Sequence, residues 1–275
     1  MNPNHLTSAW DAVLVLPETK RLSKPRIEGI TMVIDKGLGL TEMRDLLEMA
    51  ASHIDFLKIA FGSSALYPTR LMKEKIALVK SHGVQVYPGG TLFEIAFYQG
   101  MVQEFFARAK ELGFTYVEIS EGTIDLPPKA RAECIKQARD WGFGVVSEIG
   151  KKDRSVKIQA GRAIEQILAD LENGAEKVII EGRDSGKGVG IYDDHGEVKD
   201  ELLDEILAGI GSASKIIIEA PQTSQHNHLL LKLGPNVNLG NVQPHDVLTL
   251  ESTRVGLRGD TLRECLKNAP RSYRT

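Results

Sequence analysis

Apolar runs that end on a charged or hydrogen-bonding residue and then meet a turn recur along this chain. The pattern is carried by Val33-Ile34-Asp35-Lys36, Val117-Glu118-Ile119-Ser120, Val146-Ser147-Glu148-Ile149-Gly150-Lys151-Lys152, Val178-Ile179-Ile180-Glu181-Gly182-Arg183 and Ile216-Ile217-Ile218-Glu219-Ala220-Pro221. Short runs rich in β-branched residues and bounded by Gly or Pro predict buried β-strands. The full set of predicted strands is Ile30 to Asp35, Phe56 to Ala60, Val84 to Tyr87, Tyr116 to Ser120, Gly144 to Ile149, Lys177 to Glu181, Lys215 to Glu219 and Asn236 to Leu239. Helical stretches alternate with them. One is capped by Thr41; others run from Pro68 to Gly83, from Phe93 to Leu112 with a break at Gly100, and from Pro127-Pro128 to Gly142. The rest are Ala160 to Asn173, Asp200 to Ala208 after a turn at Asp194-His195-Gly196, Ser224 to Leu233, and a last one from Pro244 to Gly256. Strictly alternating strands and helices imply a parallel sheet, and this many units predict a single (β/α)8 TIM barrel over residues 28–275. Residues 1–27, interrupted by Pro3, Pro17 and Pro25, read as an N-terminal arm. Its apolar patch from Trp10 to Leu16 is expected to dock on the barrel or on a neighbouring subunit, and a homo-oligomer is expected.

Side chains alternate across a strand, so the purely apolar face meets the helices and the mixed face lines the barrel. By that parity Asp35, Lys58, Glu118, Glu148, Lys152, Glu181, Arg183 and Glu219 all point into one cup; strands three and eight are ambiguous. A buried Glu is costly unless it is paired or bound to a cation. Hard cations such as Mg2+ take oxygen ligands, which makes Glu118, Glu148, Glu181 and Glu219 the candidate metal ligands. The alternative is a set of buried ion pairs with Lys58, Lys152 and Arg183. Zinc is disfavoured because no inward strand end carries His or Cys. In such barrels the C-terminal strand ends carry the active site, so Glu148 and Lys152, on one face of strand five, are the candidate catalytic pair. Lys151 points outward by the same parity and reads as a solvated charge.

The run Glu181-Gly182-Arg183-Asp184-Ser185-Gly186-Lys187-Gly188-Val189-Gly190 is the candidate anion site. Closely spaced glycines let backbone N–H groups converge on an anion, and Arg183, Ser185, Gly186 and Lys187 are the expected contacts. Lys58 in the cup, Gly89 and Gly90 after strand three, and Arg258 near Arg254 and Asp260 are further candidate substrate contacts.

The chain has 275 residues, a net charge of -3 and 26% charged residues. The length fits one barrel, and the charge gives no sign of a nucleic-acid or membrane partner. No apolar stretch reaches the roughly 18 residues of a bilayer span, and the first residues lack the pattern of a signal peptide. Cys134 and Cys265 have no metal-type spacing and read as reduced thiols in a cytoplasmic protein.

Several of these runs resemble the phosphosulfolactate synthase family. They are Val33-Ile34-Asp35-Lys36-Gly37, Phe56-Leu57-Lys58, Val86-Tyr87-Pro88-Gly89-Gly90-Thr91-Leu92-Phe93-Glu94 and Val117-Glu118-Ile119-Ser120. Glu148-Ile149-Gly150-Lys151-Lys152, Ile180 to Gly188, Glu219-Ala220-Pro221-Gln222 and Gly256-Leu257-Arg258-Gly259-Asp260 complete the set. The resemblance implies a Mg2+-dependent carbon–sulfur lyase that adds sulfite to phosphoenolpyruvate through an enediolate, giving (2R)-phospho-3-sulfolactate. It implies that the second Lys of the Gly-Lys-Lys motif, Lys152 here, donates the proton. Plant heat-stress-associated proteins also resemble this family. Two other readings stay open: a Schiff-base aldolase using Lys152 or Lys58 on the same barrel, and a non-catalytic stress-related protein.

Overall fold

In the computed structural model, which describes residues 9–18 and 20–268, eight parallel strands alternate with helices. The strands are β1 (Thr31–Asp35), β2 (Phe56–Ile59), β3 (Gln85–Pro88), β4 (Tyr116–Ile119), β5 (Gly144–Ile149), β6 (Lys177–Ile180), β7 (Ile216–Glu219) and β8 (Leu239–Val242). The helices are α1 (Leu40–Ala50), α2 (Thr69–Ser81), α3 (Gly90–Tyr98), α4 (Val102–Leu112), α5 (Pro128–Asp140), α6 (Ala160–Asn173), α7 (Asp200–Ile210), α8 (Thr223–Leu233), α9 (Val247–Arg254) and α10 (Gly259–Asn268). The hydrogen-bonded order β3-β2-β1-β8-β7-β6-β5-β4 bends the sheet into a nearly closed (β/α)8 barrel. At the remaining seam β3 and β4 share no ladder. Thr115 bridges it instead: its N–H donates to the Val86 carbonyl at 3.1 Å, and its Oγ1 accepts the Val86 N–H at 2.9 Å.

Two apolar layers follow from strand parity. Val33, Leu57, Val86, Val117, Val145, Val178 and Ile216 face the helices in the main core. Met32, Phe56, Tyr87, Val146, Ile179 and Ile217 turn inward and fill the barrel floor, with Tyr116 packed against them. Two residues further along five of the strands the inward layer becomes charged: Lys58 above Phe56, Glu118 above Tyr116, Glu148 above Val146, Glu181 above Ile179 and Glu219 above Ile217. Gly240 supplies the inward position of β8. A Cβ there would stand 3.1 Å from Ile217 Cγ2 and 3.6 Å from Glu219 Cγ, against the Met32 methyl as well.

Several local expectations change. The last strand lies three residues later than predicted, because an irregularity in its pairing with β1 breaks simple alternation: Thr31 pairs with Leu239 but Val33 with Val242. Asp35 does not enter the cup. Ile34 stands in register with inward-facing Lys58, so Asp35 turns out to the helix layer, where it ion-pairs with buried Lys75 of α2. The first helix is capped at Gly39, whose N–H donates to the Glu42 side chain at 2.8 Å, rather than at Thr41. The break expected at Gly100 is present: α3 and α4 are separate helices on either side of it, and Gly100 has φ of +68°. A further helix, α10, follows α9 where a single last helix was expected. The turn at Asp194-His195-Gly196 forms as expected, held by the Asp193 carboxylate.

Of the arm, residues 1–8 (including His5) and Thr19 lie outside the described residues, as do residues 269–275 of the predicted domain. The patch from Trp10 to Leu16 remains largely exposed on the single chain, with Val13 71% exposed, so it does not dock on its own barrel as one expectation had it. Contact with the barrel begins further on. Arg21 donates to Glu251 of α9 at 2.9 and 3.0 Å and to the Gly29 carbonyl at 2.9 Å. Lys24 gathers the carbonyls of Ala51, Ile54 and Gly83, and Arg26 pairs with Asp55 at 2.8 Å. Arg254 also belongs to this end: it is buried and donates to the carbonyls of Pro235, Val237 and Ile30. It therefore does not close on a substrate at the mouth.

Candidate active site

The charged inward layer forms one connected cluster. Lys58 Nζ lies 3.0 Å from Glu118 Oε2, 3.1 Å from Glu148 Oε2 and 3.0 Å from Glu219 Oε1. Burial opposes its charge, but these three carboxylates outweigh burial and hold its pKa well above the ordinary lysine value. Lys58 was expected to contact substrate; here its ammonium is surrounded by protein carboxylates and serves as their internal counter-ion. Lys152 Nζ stands higher, 3.6 Å from Glu148 Oε1, 3.6 Å from Glu94 Oε1, 3.8 Å from Glu181 Oε2 and 3.2 Å from Thr91 Oγ1. Its pKa is also raised, since Glu148, Glu181 and Glu94 overcome its partial burial. Lys151 turns away, and its Nζ donates to the carbonyls of Glu121 and Ile124 at 2.9 and 2.6 Å. Lys151 thus points away from the cup as expected, but it is not the solvated charge that was expected, because the loop after β4 engages its ammonium.

Glu118 is sequestered. Its Oε1 accepts the N–H of Gly90, the first residue of α3, at 2.7 Å. Burial raises its pKa to about 8 despite Lys58. Glu148 goes the other way: burial works against its charge, but Lys58 and Lys152 hold it below the usual carboxylate range. Glu181 is pushed well up by burial and by the neighbouring Glu148 and Glu219.

Glu148, Glu181 and Glu219 each offer an oxygen, all within 4.8 Å of one another. Glu148 Oε1 and Glu181 Oε2 are buried without a hydrogen-bond partner. If Glu94, Glu118, Glu148, Glu181 and Glu219 were all ionised, Lys58 and Lys152 would leave three negative charges unbalanced. Closely set carboxylate oxygens with orphaned atoms are the donor set a hard divalent cation uses. Glu148, Glu181 and Glu219 are therefore the residues that can hold a hard cation such as Mg2+, with Glu118 outside that close set; Glu219 also accepts from Lys58 at 3.0 Å and from the Gly182 N–H at 2.9 Å.

The glycines beside the cup are needed for room. A Cβ on Gly90 would collide with Glu118 and Ser120, and one on Gly89 would stand 3.2 Å from the Ile59 carbonyl. The loop after β6 lies at the rim but is largely committed to protein partners, within itself and at the start of α8. Gly186 donates to the Gly182 carbonyl at 3.1 Å and accepts from Gln225 Nε2 at 2.8 Å; the Ser185 carbonyl accepts from Gln222 at 2.6 Å. Lys187 is exposed. Arg183, with φ of +59°, leaves the strand alternation and reaches over the rim to the Lys152 carbonyl at 3.2 Å. Arg258 is in the turn before α10, where it pairs with Asp260 at 3.3 Å and with none of the mouth carboxylates among the described residues. Glu94 was missed as a site residue. Strand parity cannot find a residue that a helix brings in; its only signal was its place at the end of the Tyr87 to Glu94 motif.

The profile of the (2R)-phospho-3-sulfolactate synthase (ComA) family matches residues 19–260. A phosphosulfolactate synthase of Methanocaldococcus jannaschii is 46% identical over 235 residues, 85% of this chain and 93% of that protein. One from Bacillus subtilis is 39% identical over 243 residues, 88% of this chain and 95% of that protein. Protein HEAT-STRESS-ASSOCIATED 32 of Arabidopsis thaliana is 24% identical over 265 residues, 85% of this chain and 88% of its own. Among solved structures, 3-keto-L-gulonate-6-phosphate decarboxylase of Vibrio cholerae superposes with a TM-score of 0.54 at 12% identity, covering 88% of this chain and all of that one, which speaks to the barrel alone. Matched by this profile over residues 19–260 and by relatives of this identity over most of their length, the chain belongs to the (2R)-phospho-3-sulfolactate synthase family.

Proposed function

We propose that this chain adds sulfite to phosphoenolpyruvate to give (2R)-phospho-3-sulfolactate. The observation that carries the reading is the Lys152 ammonium, partly exposed at the mouth and held over the Glu148 and Glu181 carboxylates. The sulfite sulfur forms a bond to the methylene carbon, and the double-bond electrons pass toward the substrate carboxylate as an enediolate. Lys152 then gives its proton to the carbon that bears the phosphate, so one sulfite, one phosphoenolpyruvate and one proton make the product. A divalent cation such as Mg2+, held by Glu148, Glu181 and Glu219, would supply Lewis-acid stabilisation of that carboxylate charge. Arg183 and Lys187 at the rim hold anionic groups of the substrates. Lys58 keeps Glu148 and Glu219 fixed from below.

The carboxylates set around the Lys58 and Lys152 ammoniums favour their protonated forms, which speaks against a Schiff-base aldolase, since that needs an unprotonated amine as nucleophile. The test is direct. Purified protein is incubated with phosphoenolpyruvate and sulfite, with and without Mg2+, and phosphosulfolactate is measured. Metal-dependent product formation supports the reading. No product under any metal condition, or a borohydride-trapped substrate adduct on a lysine, overturns it.

A further inference from the structure

We propose that Glu94 is a positioning residue for Lys152, setting where its ammonium stands over the mouth; this rests on the reading of Lys152 as proton donor. Glu94 comes from α3 and is 2% exposed. All its close hydrogen bonds go to the segment after β4. Oε1 accepts from Ser120 Oγ and from the Gly122 N–H at 3.0 Å, and Oε2 accepts from the Thr123 N–H at 2.9 Å. That segment is what holds Lys152. The Gly122 carbonyl accepts the Lys152 N–H at 2.9 Å. A Cβ at Gly122 would stand 3.0 Å from both Lys152 Cε and Nζ, so the side chain lies along this glycine. The same Glu94 Oε1 that braces the segment stands 3.6 Å from Lys152 Nζ, and Thr91, one turn earlier on α3, adds its Oγ1 at 3.2 Å.

Glu94 therefore acts on Lys152 twice, through the backbone that carries it and through charge at its tip. It differs from the other two carboxylates around Nζ. Glu148 and Glu181 belong to the carboxylate group that fits a cation, whereas Glu94 does not. With Glu148 and Glu181 engaged by a cation, Glu94 remains the counter-ion that keeps the ammonium in place.

A misplacement of about 1 Å in a catalytic group costs about 10²-fold in rate. Glu94→Gln keeps the shape but removes the charge and turns one acceptor into a donor facing another N–H. It is expected to lower kcat on that scale while leaving KM for both substrates unchanged. The discriminating measurement is the same substitution in a Lys152→Ala background. A residue that acts through Lys152 has nothing left to act on there, so the double variant should turn over as slowly as Lys152→Ala alone. Equal losses from Glu94→Gln in both backgrounds, or no loss in the first, would overturn the proposal. Should Glu94→Gln fail to fold, Glu94→Asp carries the same comparison, because it keeps the charge but draws it back from Nζ. Full turnover by Lys152→Ala overturns the proton-donor reading and this proposal with it. Slow turnover by Lys152→Ala with an additive Glu94 effect removes the proposal alone.

Discussion

Glu148 and Lys152 are four positions apart in the chain, and their charged atoms stand 3.6 Å apart above the barrel floor. Gly150 makes that return possible. It has φ of +107°, a conformation that side-chain-bearing residues avoid, and a Cβ there would lie 3.0 Å from Glu181 Cβ. A single residue thus turns the end of β5 back over its own carboxylate and lets β6 approach.

The first expected outcome concerns the two adjacent lysines. A general acid contributes about 10²–10⁴-fold in rate, so Lys152→Ala should lose turnover on that scale and still bind phosphoenolpyruvate and Mg2+. Lys151→Ala, whose Nζ is spent on the loop carbonyls of Glu121 and Ile124, should lose much less. Turnover numbers of the two variants at saturating substrate check this, and a reversed order would sink the assignment.

Glu148→Gln and Glu181→Gln should each weaken divalent-cation binding, measured by calorimetric titration of the substrate-free protein with Mg2+, and should raise the Mg2+ needed for activity. If both variants bind and respond to the ion as the unaltered protein does, the metal assignment is wrong. Glu118→Gln should affect this titration least of the inner carboxylates, since Glu118 lies outside the set of oxygens within 4.8 Å of one another.

Arg183→Ala should raise KM for one of the two anionic substrates far more than for the other, because its guanidinium hangs over one side of the rim beside the Lys152 carbonyl. Steady-state kinetics with each substrate varied in turn provide the check. A small, equal effect on both would reduce Arg183 to a brace for the segment that carries Lys152.

Stability should fall as pH rises through the neutral range in the metal-free protein. Burial lifts the Glu118 carboxyl from 4.5 to about 8, and Glu181 is lifted in the same direction. A group whose folded pKa exceeds its unfolded one binds protons more tightly when folded. Its stabilising contribution is complete below the unfolded value and is lost on the way up to the folded value. The net fall is therefore expected from about pH 6.5 to about 8; below that, burial of His226, which lowers its pKa from 6.5 to about 4, works with the opposite sign. Glu148, shifted downward, acts only below that window. Thermal midpoints across the window should decline, and Glu118→Gln should flatten the decline; an unchanged slope would count against a protonated Glu118.

Parity and periodicity made much of this legible. Val146 and Glu148, or Ile217 and Glu219, announce a floor and a charged layer because alternation in a short straight strand is rigid. The same rule misplaced Asp35 because the partner strand, not the local run, decides which face is inside. It left the faces of β8 open, and there the pairing with β1 is irregular. It could not find Glu94, since a helix after β3 swings it into the mouth from outside the strand pattern. The loop after β6 looked like an open cradle from its glycines, and Gln222 and Gln225 of α8, distant in sequence, fill much of its bonding capacity.

The base of the barrel is joined by residues from opposite ends of the polypeptide. Arg21 meets Glu251, 230 positions later, while Arg254 reaches back to the Ile30 carbonyl. Contacts of such separation carry the greatest loop-closure cost and reward the chain only after the intervening units are in place. A ribosome must therefore deliver the chain as far as Arg254 before this clasp can shut. Until then the β1 edge that will meet β8 has no partner, which makes the emerging front half the part of this protein most in need of protection from its neighbours.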